Sequence, residues 1–470
     1  MPELLALVKH DCPVCDQVLP ALDAAGVRVL SQSDAADTEA QAARLGLEHV
    51  PELDDELAAS QRFDPDAVPA LILLDGADER DRVEGLHRER MLELAEQAGV
   101  RLDLDGMPEV RPGCASATRD PEIAAMLAAR RARAEGRIRS RELRVGELED
   151  PFEALHERGL TDGLPVVPPT PERVVAMLEH TAREPQDVVG VVPPYGGEAT
   201  VEKVAVNAVM AGCAGPELPV VLAAVEAVCD EAFAMHGLLA TTHPAGPVMV
   251  VSGYPGFHAG VNVLGQGDRA SMTAGRALQL VVRNVGGGRP GIEDRAAHGQ
   301  PGKLGMCFAE RLDETAPWPG LAQDRGVPPG EPGVTVMALE APRVIVDQLA
   351  RDPEGLCASL AMALESVATP RLRLAFDAML LVGPEHGRIF KAAGWSRAQV
   401  QERLHQLTHS PAGELVRGAG GSPEGIEPQW VTDPAMPVAK FAAPIASSWP
   451  TRAATPDSSR WSSEAGPRAR

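Results

Sequence analysis

Two cysteines, Cys12 and Cys15, stand two residues apart where an apolar run meets a helical pattern, and nothing else constrains the start of the chain as tightly. Residues 4–8 are apolar without interruption, which reads as a short buried strand. After Cys12-Pro13-Val14-Cys15 the pattern turns amphipathic up to Ala25 and stops at Gly26, so a helix is expected to begin at the dithiol. A cysteine at a helix N-terminus meets free backbone N–H groups and the positive end of the dipole, and both stabilise a thiolate. Such a thiolate attacks a disulfide or another electrophilic sulfur, and a thiol one turn along resolves the mixed disulfide. Cys12 therefore reads as the attacking thiol and Cys15 as the resolving one. His10, two residues earlier, offers local positive charge or a proton relay. The same spacing also suits half of a zinc site, which needs a second Cys or His pair. Residues 16–112 hold only the scattered His49 and His87.

The first 112 residues read as one compact unit. Strands are expected at 4–8, 27–30, 70–74 and 83–85, and helices after Cys15, at 37–45 and at 87–98, in the order βαβαββα. The unit holds 25 acidic against 10 basic residues, so it carries most of the chain's net charge of -23. Residues 113–150 read as an Arg-rich linker, with seven arginines between Arg130 and Arg144. Either this run docks an acidic surface or it is a solvated face.

Cys12-Pro13-Val14-Cys15, the sequence Val68-Pro69-Ala70, the strand that follows it and Gly85 together resemble the thioredoxin/glutaredoxin superfamily. The resemblance implies a small thioredoxin-like domain with redox activity at Cys12 and Cys15. It implies a cis peptide bond before Pro69, with that proline against the dithiol and its backbone neighbour pairing with a substrate chain. The residues between the cysteines, Pro13 and Val14, are neither Gly-Pro nor Pro-Tyr, so the redox potential stays unassigned.

Residues 151–427 read as a larger layered α/β domain. Strands are expected at 188–192, 248–251, 304–308, 334–339 and 378–382, with helices between them at 170–179, 200–211, 217–229, 271–284, 353–367, 385–393 and 396–407. Residues 428–470 are rich in Pro, Ser, Ala and Arg without periodicity and read as a disordered tail. In the helix at 200–211, Glu202, Lys203 and Asn207 interrupt an apolar pattern, so they form either a structural network or a substrate-binding site. Cys213 follows Gly212 at the end of that helix, where the dipole disfavours a thiolate, so it reads as an inert buried thiol. The glycine-dense stretches 262–271 and 284–303 suit an anion cradle or simple helix caps. They place Arg283 and Lys303 as binders of an anionic substrate group. His386 opens a helix after the expected strand 378–382, at the strand end where open α/β sheets bind ligands. There it reads as a general base, a metal ligand or a solvated first-turn side chain. His236, His243, His258 and His298 match no standard zinc spacing, so a metal stays possible without a defined ligand set.

Thr161-Asp162-Gly163-Leu164-Pro165 through Thr170, and the stretches 200–213, 284–303 and 383–395, resemble a bacterial domain of the UGSC-type (seleno)protein families. That likeness covers 151–410 and implies thiol or selenol redox chemistry without a named activity.

Composition narrows the classes. An acidic chain repels phosphate backbones, so nucleic acid is not an expected partner. No apolar run reaches eighteen residues, and no signal peptide is read at the start, so a cytoplasmic chain off the membrane is expected. Seven cysteines in a reducing compartment argue against a disulfide scaffold. The combined expectation is a thiol-dependent oxidoreductase or sulfur-transfer enzyme. Its head would draw on a dithiol reductant and serve a small-molecule substrate site in the larger domain. A metal- or organometal-handling lyase and a redox-controlled binding protein are the alternatives; the oligomeric state is open.

Overall fold

The structure is a computed structural model that describes residues 2–146, 148–260, 262–264 and 268–442. The chain is α/β, with mixed sheets, and divides into two compact units at Gly136 and Arg137. Among the described residues no helix is long and apolar enough to cross a membrane.

The first unit runs β1 (Glu3–Val8), α1 (Pro13–Ala24), β2 (Arg28–Ser31), α2 (Ala35–Leu45), β3 (Glu52–Leu53), α3 (Ala58–Phe63), β4 (Ala67–Val68), β5 (Ala70–Asp75), β6 (Asp78–Glu84), β7 (Leu86–His87), α4 (Arg88–Gln97), β8 (Val110–Arg111), β9 (Cys114–Ala115) and α5 (Pro121–Ala134). Its sheet has the order β3-β2-β1-β5-β6. The pairings of β1 with β2 and of β2 with β3 are parallel, and those of β1 with β5 and of β5 with β6 are antiparallel. Five consecutive buried residues on β1 mean that both sheet faces are covered, as its unbroken apolar run required. Leu7, Leu19, Leu71 and Leu94 meet in this core, and truncating any of them to alanine costs about 2–5 kcal/mol.

Three features differ from the sequence reading. Strand β6 begins at Asp78 instead of residue 83. Its first residues are charged because it is an edge strand, and Arg82 pairs with Glu79 and Glu84 along it. Strand β3 and helix α3 were not expected, since two residues and six residues are too short for a periodic signal. The stretch 113–150 is not a plain linker. Strand β9 pairs with β4, and α5 is a regular helix capped by Asp120 with Pro121 in its first turn. Leu127, Ala129 and Ala132 are buried, Arg130 and Arg131 are exposed, and Arg130 lies 3.6 Å from Glu56.

The second unit contains α6 (Pro151–Glu157), α7 (Pro171–Leu178), β10 (Val188–Val192), β11 (Gly197–Thr200), α8 (Val201–Ala211), α9 (Leu218–Cys229), α10 (Met235–Ala240), β12 (Gly246–Ser252), α11 (Arg269–Asn284), β13 (Met306–Ala309), α12 (Leu321–Asp324), β14 (Gly333–Leu339), α13 (Pro353–Leu364), α14 (Pro384–Ala392), α15 (Arg397–Leu407), β15 (His409–Pro411), α16 (Ala412–Leu415) and β16 (Pro437–Ala439). Its central sheet is β13-β12-β14, parallel on one side of β12 and antiparallel on the other. Met249, Val251, Val334 and Val336 face the core built with α8, α9 and α11. Val248, Val250 and Phe308 look to the other face, toward Leu321 and Met379. Every residue of β12 is therefore buried, and period-2 alternation is absent from it.

Residues 378–382 form no strand. They join no ladder; Ala378, Leu380 and Val382 pack against α13 to α15, and Met379 lies against the face formed by Val248, Val250 and Phe308. The tail reading also changes over its first part. Residues 428–442 hold β16, which pairs with β15, and the buried Lys440, whose Nζ donates to the carbonyls of Val367, Thr369 and Leu372 at 2.7–2.8 Å. Residues 443–470 and the glycine stretch at 265–267 lie outside the described residues.

The polar positions of α8 resolve into structure. Glu202 is buried, and its carboxylate accepts from the Arg139 and Ser140 N–H groups and from Gln186 Nε2 at 2.8–3.0 Å. Burial pushes this carboxyl up, but those donors outweigh it and hold it below the ordinary glutamate range. Its stabilisation is therefore present at neutral pH and is lost as the pH falls through the acid range. Glu202→Ala removes an acceptor shared by three donors and should cost about 3 kcal/mol in urea unfolding near neutral pH, with a smaller cost at acid pH. An unchanged midpoint would mean that the network contributes nothing.

Candidate active site

Cys12 is the N-cap of α1, and Pro13 in the first turn supplies a fixed φ where a backbone N–H would have no partner. The Cys15 N–H donates to Cys12 Sγ at 3.2 Å. As a neutral thiol, Cys12 donates to the Val68 carbonyl at 3.4 Å, so that carbonyl marks where the sulfur points. The peptide bond between Val68 and Pro69 is cis. Hydrogen bonding from the Cys15 thiol lowers the Cys12 pKa most. Burial opposes it, and the Cys114 thiol and the Cys15 backbone add to the lowering, leaving Cys12 at about 5. Cys15 moves the other way: burial pushes its thiol well up, and the proximity of Cys12 adds to this. Two thiols with the same sequence context are thus split into a thiolate and a proton-holding partner.

Cys114 was not among the residues that the sequence singled out. It lies on β9 opposite Val68 on β4, with Ala115 opposite Ala67. Burial raises its thiol, and hydrogen bonding to Cys12 raises it further because the Cys114 proton is what Cys12 uses. The Val14 backbone at the start of α1 pulls it the other way. The approach is made by two glycines. A Cβ on Gly113 would lie 2.6 Å from the Val68 carbonyl oxygen, and one on Gly85 would lie 2.6 Å from the Gly113 nitrogen. No sequence signal marks Cys114, because the pairing of β9 with β4 spans more than forty residues. His10 is engaged with Ser33 Oγ at 3.0 Å and with Asp37 at 3.5 Å.

The second unit offers a separate feature. On the second face of its sheet lies a cavity of about 1120 Å³, floored by Val248, Met306 and Phe308 and walled by α13 and residues 376–386. His386 lines it, and so do His243, Glu340, Arg343, Asp347 and Asp377. His386 Nε2 is 2.9 Å from the Asp347 carbonyl, which assigns the proton to that nitrogen and leaves Nδ1 as the side able to accept. Asp347 is held at about 2, chiefly by Ser359 and then by the N–H groups of Ala350 and Leu349. Burial pushes the Asp377 carboxyl up against the opposing pull of Arg325. Arg343 pairs with Glu340 at 3.0 Å, and His243 stacks near Phe376 at 5.5 Å between ring centroids.

The structure does not bring the other sequence-nominated binding residues to this cavity. Lys303 pairs with Asp294 at 2.8 Å and donates to the Ala245 carbonyl, and its side chain is mostly buried. Arg283 lies on α11, where burial and then Arg289 lower its pKa and Asp162 opposes them. Lys203 is exposed and donates to the Glu198 carbonyl at 2.7 Å. Asn207 is buried, donates to the Lys203 carbonyl and accepts from Asn284 at 2.8 Å. The motif 161–165 is held by a bidentate pair between Arg276 and Asp162, both contacts 2.7 Å. Cys213 and Cys307 are buried thiols pushed far up by burial. Among the described residues no group of three or more His, Cys, Asp or Glu side chains is arranged to hold a metal ion.

Comparison of the chain with family models, with curated proteins and with solved structures gives no match.

Selective chemistry follows from the split of the thiols. Brief treatment with iodoacetamide at neutral pH should label Cys12 ahead of Cys15, Cys213 and Cys307, as read by peptide mass spectrometry. Preferential labelling of Cys15 would reverse the assigned roles.

Proposed function

We propose that the first unit is a thioredoxin-like domain that exchanges thiols and disulfides at Cys12, and that the whole chain is a thiol-dependent oxidoreductase acting on a small molecule. The observation that carries this is the Cys12 sulfur at the start of α1, lowered to about 5 beside a Cys15 thiol raised by burial. A thiolate formed well below neutral pH is present throughout the physiological range, and exchange requires the thiolate. The strand order around β1 and the cis bond before Pro69 support the same reading.

In the reaction the Cys12 thiolate attacks one sulfur of a substrate disulfide. A mixed disulfide forms and one thiolate leaves. A second thiol of the chain then attacks Cys12 Sγ, an intramolecular disulfide forms, and the other half of the substrate leaves as a thiolate. A cellular dithiol reductant restores the starting state. The cavity of the second unit, apolar in its floor and polar along one wall, suits a small organic substrate. There His386, with Nε2 donating to the Asp347 carbonyl, presents Nδ1 as an acceptor toward a substrate. Joining a dithiol and a pocket in one chain raises the effective concentration of one at the other.

The test is steady-state reduction of a low-molecular-weight disulfide by the full chain with excess dithiol. Cys12→Ser should fall to the uncatalysed rate, and Cys213→Ser should keep wild-type turnover. Full turnover in Cys12→Ser would remove the proposal.

A further inference from the structure

The three sulfurs at the start of α1 form a cluster that a two-cysteine exchange does not use in full. Cys12 is completely buried, and so is Cys15; only Cys114 is partly exposed. The Cys114 backbone is paired with Val68, whose carbonyl lies 3.4 Å from Cys12 Sγ, so the strand sets the Cys114 thiol beside the Cys12 sulfur. The contact is fixed on both sides: β8 pairs with β7 just before it, and the Ser116 N–H donates to the Asp66 carbonyl at 3.0 Å just after it. A strand held at both ends, with two glycines cleared for the approach, delivers one thiol to one sulfur.

We propose that Cys114 resolves mixed disulfides on Cys12, so that the oxidised chain carries a disulfide between Cys12 and Cys114. This rests on the thiol-exchange reading above and names Cys114, instead of the Cys15 that the sequence suggested, as the second thiol.

The argument is about where protons and sulfurs can go. A resolving thiol must lose its proton before it attacks. Cys15 has no solvent-exposed surface, and its backbone N–H donates to Cys12 Sγ at 3.2 Å. Cys114 has access to solvent and can pass its proton to water. With glutathione disulfide as the probe, the balance is complete. The Cys12 thiolate takes one glutathionyl group and releases one glutathione thiolate. The deprotonated Cys114 then attacks Cys12 Sγ, the bond between Cys12 and the glutathionyl sulfur breaks, and the second glutathione leaves. Two electrons pass from the cysteine pair to the probe, which becomes two glutathiones. Cys15 stays reduced throughout and keeps its hydrogen bond.

Trypsin makes the outcome readable. Cys12 and Cys15 share the peptide 10–28, and Cys114 lies in 102–119, because the bond from Arg111 to Pro112 resists cleavage. The full chain is oxidised with glutathione disulfide, blocked with N-ethylmaleimide, digested and mapped without reduction. The wild type should give 10–28 cross-linked to 102–119, with Cys15 carrying the block. Cys15→Ser should give the same cross-link, and Cys114→Ser should lose it and retain glutathione on Cys12. Two results overturn the inference alone: a closed loop within 10–28 as the sole wild-type product, or glutathione held on Cys12 in Cys15→Ser with 102–119 unlinked. A chain whose Cys12 takes up no glutathione in any form overturns both this inference and the exchange reading. Because the wild type carries the decisive readout, the test does not depend on either variant folding.

Discussion

The placement of the Cys12 sulfur at the start of α1, where the Cys15 N–H donates to it at 3.2 Å, is the constraint on which the chemistry proposed for the first unit turns. It exists because only four residues separate the end of β1 at Val8 from Pro13, so the strand hands the chain almost directly to a helix. The first-turn N–H groups of that helix have no partners of their own. A sulfur placed there becomes the acceptor those donors lack, and the acceptor is better as an anion. The rest of the unit serves this placement. The buried β1 and β5 fix the floor, the segment around Val68 and Pro69 closes the side, and Gly85 and Gly113 admit a third sulfur. Burial alone would raise the Cys12 pKa; hydrogen bonding from the side chains and backbones of Cys15 and Cys114 reverses the sign.

The second unit is organised around a sheet whose two faces have different fates. One face is sealed by α8, α9 and α11, all nearly continuous in apolar residues toward it. The other is covered less closely, by α12, α13 and the irregular chain at 376–386, and the space left over is the cavity that His386 lines. The polar residues of α8 and the motif around Asp162 belong to the sealed side, where Glu202, Asn207 and Asp162 satisfy backbone and side-chain donors. They hold the helices in register and do not reach the open face.

Much of this was legible because it depends on local pattern. The start of α1 at Cys12, the helices from 200 to 229, the amphipathic α11 and the strand at 188–192 announce themselves by periodicity, caps and glycine stops. What the pattern hid was long-range. Cys114 becomes meaningful only when β9 pairs with β4, and a two-residue strand has no periodicity. Residues 378–382 carry the apolar run of a strand but join no ladder: Ala378, Leu380 and Val382 pack against helices, and Met379 lies across a sheet face. Lys303 looked like a cation aimed at a cleft; its turn instead points it at Asp294, a pairing with no sequence signature. His386 was found at the right helix terminus, while Glu340, Arg343 and Asp377, which share its cavity, come from stretches without a motif.

The central claim is that Cys12 is an anion in the folded chain because its neighbours make it one. Titrating the ultraviolet thiolate absorbance of the full reduced chain, with Cys12→Ser subtracted, measures this directly. One thiolate should appear with a midpoint at about 5 and be fully formed at neutral pH. Because that value lies below the ordinary thiol pKa of 9.0, the ionised form also stabilises the fold, and this stabilisation should fade as the pH falls through the same midpoint. A difference titration centred near the ordinary thiol value would contradict the account.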